Sequence, residues 1–167
     1  MNDVIRRASG ASREDLTRDN VGVRLELASD LPPVDGNVSQ LQQVISNLIR
    51  NALEAMKTTV DRPRELRLRT ERRGQDVVGI AVEDSEPGLD PTRLESAFSA
   101  FFTTKVRGMG LGLAICRLIV ERHGGTISAS SDGESDARFD IAIPAMSNSG
   151  PIRKELVASE TGQSPGS

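Results

Sequence analysis

The sequence predicts an α+β fold, a two-layer α/β sandwich with a mixed, mostly antiparallel sheet covered on one face by helices. Three observations carry this reading. Five short segments alternate apolar and polar residues with the period of half-buried strands. Two longer segments repeat their apolar residues at three- and four-residue steps, as an amphipathic helix does. The order is strand, helix, two strands, a long unpatterned segment, helix, two strands.

Residues 1–20 are polar and helix-compatible without a strong apolar stripe, and read as a truncated helix or linker. In "VGVRLELA" (21–28) Val21, Val23, Leu25 and Leu27 alternate with polar residues or glycine, which predicts a strand. Two prolines break "SDLPPVDG" (29–36) into a loop. Over 37–58, Leu41, Val44, Ile45, Leu48, Ile49, Ala52, Leu53, Ala55 and Met56 fall on one broad side of a helix. Gln43, Asn47, Arg50, Asn51, Glu54 and Lys57 fall on the other. "ELRLRTERR" and "DVVGIAVED" predict two strands around a turn at Gly74. Residues 85–110 lose any pattern and hold at most one short helix; segments of that length are commonly functional lids or disordered. A second helix is expected over about 111–123, stopped by Gly124 and Gly125, with strands at "TISASS" and "RFDIAIP" after it. The expected division is a linker over 1–20, one domain over 21–144 and a mobile Ser/Gly/Pro-rich tail over 145–167.

Composition narrows the function. With 167 residues, 37% hydrophobic and 27% charged, the chain suits one soluble domain. No apolar run approaches a membrane span, so no membrane contact is expected from this chain itself. A net charge of −3 and the lack of Trp and Tyr argue against nucleic-acid binding and base stacking. The single cysteine, Cys116, lies in the apolar run "LGLAICRLIV" and reads as a small buried hydrophobe. One Cys and one His cannot build a zinc cluster, and no triad or Walker pattern is present.

Three segments offer chemistry. "GMGLGLAI" is a glycine-rich loop running into a helix, where first-turn N–H groups and the helix dipole suit a phosphate. On the 37–58 helix, Gln43, Asn47, Asn51 and Glu54 form one stripe of amide and carboxylate groups. Such a stripe alone is commonly a solvated face. Facing a phosphate loop, it offers the hard oxygens that Mg²⁺ shares with phosphates and water. Asp84, closing an apolar strand before a Pro-Gly turn, could accept the exocyclic amine of adenine and reject guanine.

Together these segments resemble the catalytic and ATP-binding domain of sensor histidine kinases, within the GHKL (Bergerat-fold) ATPase superfamily, over roughly residues 20–144. "QLQQVISNLIRNALEAM" resembles the asparagine box, "DSEPG" the first glycine box, "AFFTTK" the phenylalanine box and "GMGLGLAI" the second glycine box. The resemblance implies Asn51 as Mg²⁺ ligand and Asn47, Glu54 and Lys105 as the catalytic group around metal and phosphates. It makes Asp84 the adenine-reading acid, with Gly88 in the turn beside the base. Phe101, Phe102, Thr103, Thr104 and Lys105 fall in the ATP lid, and Gly108, Gly110, Leu111 and Gly112 in the phosphate loop. Two positions depart from the pattern: Glu86 stands where the first glycine is expected, and Asp136 replaces a small residue in a loosely matched final motif. The phosphoacceptor box is missing, and His123 in "HGG" reads as structural.

The implied reaction is transfer of the γ-phosphoryl group of ATP to a histidine on a separate dimerisation domain of a parent kinase, with a response regulator downstream. The resemblance implies a cytoplasmic, monomeric piece of a protein that could itself be membrane-anchored. A protein serine kinase of the anti-sigma-factor type, or a degenerate nucleotide-binding module, remains open. In hydrolysing relatives an acid stands one helical turn before the metal-binding Asn; here that position is Asn47, which favours transfer over hydrolysis.

Overall fold

The computed structural model describes residues 1–85, 96–99, 111–131 and 137–146. Two short helices, α1 (Asn2–Ala11) and α2 (Arg13–Arg18), lead into β1 (Val21–Leu27). The long α3 (Val38–Met56) follows, then β2 (Arg64–Arg73) and β3 (Val77–Asp84). A single 3₁₀ turn (Ser96–Phe98) precedes α4 (Gly112–Arg122), β4 (Thr126–Ser131) and β5 (Ala137–Pro144). The strands form one sheet in the order β1-β2-β3-β5-β4. β1 and β2 run parallel and every other pairing is antiparallel. Parallel neighbours need a long crossover, and α3 supplies it.

Register explains the single covered face. Leu68 pairs with Val82, Val82 with Phe139, Ile80 with Ile141, and Ile141 with Ile127. All these side chains are buried under α3 and α4, in one core with Leu41, Val44, Ile45, Leu48, Ile49 and Leu53 of α3. Fully burying each such residue contributes roughly 1.5–3 kcal/mol. The opposite face carries a lattice of ion pairs. Arg138 donates to Glu83 at 2.7 Å, Arg67 to Glu83 at 3.4 Å, and both Arg73 and Arg138 reach the Asp140 carboxylate. Burial pushes the Asp140 pKa up, but the hydrogen bonds from Arg138 and Arg73 outweigh it and hold the carboxyl below its ordinary value.

Helix ends follow local chemistry. Asn37 caps α3, its Oδ1 accepting from the Gln40 N–H at 3.0 Å. At the far end the Arg64 guanidinium gathers the carbonyls of Lys57, Thr59 and Asp19, at 3.2, 3.0 and 3.0 Å. The "HGG" turn ends α4. Gly124 has φ +70°, and a Cβ on Gly125 would lie 2.4 Å from the Ala142 carbonyl oxygen, so both positions need glycine. His123 bridges the helices: its Nδ1 meets the Ile119 carbonyl at 2.7 Å, and its Nε2 accepts from the Asn37 N–H at 3.1 Å.

Residues 1–20, expected as a linker or truncated helix, form α1 and α2 and contribute to the core. Val4, Ile5, Ala8 and Leu16 are all buried. Their stripe spans barely three turns of a strongly polar segment, so low overall hydrophobicity hides it. The Asn2 amide and the buried Thr70 hydroxyl add a polar tie. Asn2 donates to the Ala28 carbonyl (2.7 Å), and Thr70 donates to Asn2 (2.9 Å) while accepting from the Ala28 N–H (3.0 Å). After β5, the N–H groups of Ala145 and Met146 donate to Asp76 and Pro33 carbonyls.

Candidate active site

The polar stripe of α3 is most deeply buried at Asn47, between an exposed Gln43 and an exposed Glu54. Asn47 is only 9% exposed, Asn51 is half-buried, and Glu54 is exposed. Asn47 does not stand alone. Its Oδ1 accepts a short hydrogen bond from Arg50 Nη2, three residues on. Near it lies Cys116 of α4, which is fully buried, its Sγ 3.7 Å from the Val44 carbonyl. Burial pushes the Cys116 thiol up to about 11, against the opposing pull of a hydrogen bond from Asn47 and the charge of Arg50. The thiol is therefore a packing group that joins the two helices beneath the stripe.

α4 opens with Leu111 at its N-cap, a residue with no side-chain atom to cap the first-turn N–H groups. The glycine loop is thus followed by a helix end whose donors are not satisfied by its own cap side chain, an arrangement suited to an anion. Gly112 is the first residue of this helix.

Asp84 is the last residue of β3 and only 4% exposed. It pairs with Leu66 on one side and Ala137 on the other, so its backbone is held by both neighbouring strands. Ser85 locks that strand end. Its N–H donates to the Glu65 carbonyl (3.1 Å), and its hydroxyl accepts from the Glu65 N–H (2.9 Å) and donates to the Pro63 carbonyl (3.2 Å). The same hydroxyl lies 3.5 Å from Met56 Sδ, at the end of α3. One serine therefore joins the ends of β2, β3 and α3.

Phe98 of the 3₁₀ turn packs into the core. Its ring is buried edge-on against Phe139, with centroids 6.1 Å apart, and the Arg117 guanidinium sits 4.6 Å from its centroid. Of the residues implicated by the sequence, Asn47, Asn51 and Glu54 lie on α3, Asp84 ends β3, and Leu111 and Gly112 begin α4. Glu86, Gly88, Phe101, Phe102, Thr103, Thr104, Lys105, Gly108, Gly110 and Asp136 lie outside the described residues. Arg50, Ser85 and Phe98 were not singled out for the site by sequence. The only available signals were the i, i+3 spacing of Arg50 from Asn47 and the polar residue directly after Asp84.

Among the described residues, no three His, Cys, Asp or Glu side chains cluster as a metal cage. The donors present are an amide oxygen and a nearby carboxylate. They fit a cation that keeps most of its water and leans on phosphate oxygens, as Mg²⁺ does.

The fold is an α+β sandwich with a polar helix face and a helix N-terminus at one end, and comparison with known proteins gives the family. A family model described as "Histidine kinase-, DNA gyrase B-, and HSP90-like ATPase" matches residues 36–147. The sensor protein TdiS of Thauera aromatica is 36% identical over 146 residues, covering 86% of this chain and 26% of TdiS. The solved catalytic domain of histidine kinase ThkA superposes with TM-score 0.74 at 30% identity, covering 86% of this chain and 92% of that domain. ThkA in complex with the response regulator protein TrrA gives TM-score 0.71 at 28% identity, with 86% and 40% covered. The chain belongs to the histidine kinase-, DNA gyrase B- and HSP90-like ATPase family and is homologous to the ATP-binding catalytic domains of sensor histidine kinases. It spans about a quarter of the length of TdiS. No helix among the described residues is long and apolar enough to cross a membrane.

Proposed function

We propose that this domain binds Mg-ATP and passes its γ-phosphoryl group to a histidine on a separate dimerisation domain of the same parent kinase. One observation carries the reading: Asn47, one helical turn before Asn51, is an amide whose oxygen is already held by Arg50. Hydrolysis needs a group there that can take a proton from water, and an amide cannot. An acceptor imidazole brings its own lone pair. In the transfer, the bond from γ-phosphorus to the β–γ bridging oxygen breaks, a bond to the imidazole nitrogen forms, and ADP leaves with the electron pair. The kinship with sensor kinases favours histidine over serine as acceptor.

In this reading Asp84 accepts the adenine amine, and the buried strand end held by Ser85 keeps it oriented. Asn51 offers its carbonyl oxygen to Mg²⁺, with Glu54 alongside, and the bound cation supplies charge neutralisation at the phosphates. The N–H groups of Gly112 and its neighbours at the start of α4 face the phosphates. Catalysis by such a site is positioning and electrostatics. Gly88, Phe102, Thr103, Thr104, Lys105, Gly108 and Gly110 complete the assignment from the sequence, with Lys105 as the cationic partner of the phosphates. The catalytic unit runs from α1 through β5, and the burial of Ile5 and Ala8 supports including α1. It acts in the cytoplasm as a monomeric unit, reaching a response regulator only through the phosphohistidine; TrrA bound to ThkA supports that class of partner.

Calorimetry with Mg-ATP, followed by labelled phosphate transfer in trans to a supplied histidine-bearing domain, tests this. Transfer should occur and be lost in Asn51→Ala. Label appearing on a serine, or no nucleotide binding at millimolar concentration, would refute it. Recovery of binding in Glu86→Gly would then mark a degenerate site.

A further inference from the structure

Asn47 and Asn51 each carry an amide with two ends of similar shape and opposite chemistry, since the oxygen accepts and the nitrogen donates. The end that faces the nucleotide decides whether the residue can ligate a cation or hold a phosphate oxygen. On a helix, the residue three positions on is a side-chain neighbour. Those two neighbours differ in kind. Arg50 follows Asn47 and has donors only; Glu54 follows Asn51 and, when ionised, has acceptors only. The first pair is formed in the structure, where Arg50 Nη2 donates to Asn47 Oδ1. With its oxygen held by Arg50, Asn47 is left with its nitrogen to offer to a ligand.

We propose that these opposed neighbours set the two amides in opposite senses. Arg50 makes Asn47 a donor to nucleotide phosphate oxygens. Glu54, by accepting from the Asn51 nitrogen, turns the Asn51 carbonyl oxygen toward the cation. Arg50 and Glu54 are then positioning residues, and the stripe divides its labour between anion and metal. The inference rests on the Mg-nucleotide reading above and assigns the atoms within it.

The test is ATP affinity by calorimetry, in EDTA and in Mg²⁺, for the whole chain and its variants. Thermal unfolding of each ligand-free protein is read alongside: Arg50→Met leaves the buried Asn47 oxygen without its donor and should lower the midpoint modestly, so the comparison with and without the Asn47 amide decides. Arg50→Met should weaken ATP about five-fold in EDTA and in Mg²⁺ alike, the scale of one lost hydrogen bond. Arg50→Lys, which keeps a donor, should recover part of the loss. In an Asn47→Ala background, Arg50→Met should have no further effect. Glu54→Met should remove most of the Mg²⁺-dependent gain in affinity, whereas Glu54→Gln, which keeps a carbonyl oxygen for Asn51, should retain it. Equal weakening by Arg50→Met with and without the Asn47 amide overturns the proposal, because Arg50 then acts through its charge or on phosphate directly. Equal losses in Glu54→Gln and Glu54→Met overturn it as well. A wild-type chain that binds no nucleotide in either condition refutes the functional reading instead.

Discussion

Replacing Ile5 by alanine removes three carbons from a side chain that has no exposed surface, at the contact between α1 and the core under α3. At about 0.8 kcal/mol per buried methylene, the transfer loss is about 2.4 kcal/mol. The cavity left behind adds to it, since packed surroundings relax only in part, and brings the expected cost to about 3–4 kcal/mol. With a urea slope of roughly 2 kcal/mol per molar for a domain of this size, the unfolding midpoint should fall by about 1.5–2 M. Arg6→Ala is the control: the Arg6 side chain is 57% exposed and pairs with Asp3 at 3.2 Å. It should shift the midpoint by no more than about 0.2 M, because exposed ion pairs contribute little. Equilibrium unfolding followed by circular dichroism measures both. A shift below about 0.5 M for Ile5→Ala would mean that α1 does not dock, and that the catalytic unit begins at β1.

Asp140 should make acid stability pH-dependent. Its carboxyl is held below the ordinary 3.8, so its contribution is fully present above that value and is lost as pH falls through the lower folded value. Asp140→Asn should flatten the stability profile below about pH 4, and an unchanged acid limb would show that the Arg73 and Arg138 contacts do not persist in solution. Cys116, with its thiol pushed up to about 11 and buried, should resist alkylation at pH 8 in the native protein and react only in denaturant; native-state labelling within minutes would contradict the packing of α4 on α3. Asp84→Asn should cut the preference for adenine over guanine nucleotides by about ten-fold or more, read as a ratio of binding constants, since an acceptor oxygen gives way to an amide that can turn either end toward the base. Unchanged selectivity would remove Asp84 from base reading.

The sheet and α3 were readable because their periodicity is strong, and α4 because its apolar run ends at two glycines. Val78, Ile80 and Val82 alternate onto the core side of β3, and the stripe from Leu41 to Met56 fits one helical face, so burial alone sets their positions. α1 was not readable in the same way. Three buried residues on a short, mostly polar helix look like a solvated segment, and its place is set by α3 and by the Asn2–Thr70 tie, both tertiary. At the site, sequence named the residues that would face a ligand and passed over those that hold them. Arg50 read as one more solvated polar residue, because its meaning lies in which atom of Asn47 it engages. Ser85 and Phe98 likewise act through contacts from β2 and β5, which no local window contains.

His123 is the chain's sole imidazole, and both of its nitrogens have work inside the fold. Nε2 takes the Asn37 N–H, which leaves Nδ1 to carry the ring proton toward Ile119. A phosphoryl group on either nitrogen would have to sever a helix terminus first. The ring behaves as mortar between α3 and α4, with no lone pair to offer. Modifying this ring would cost the fold both bonds, so His123 serves as a strut within the domain.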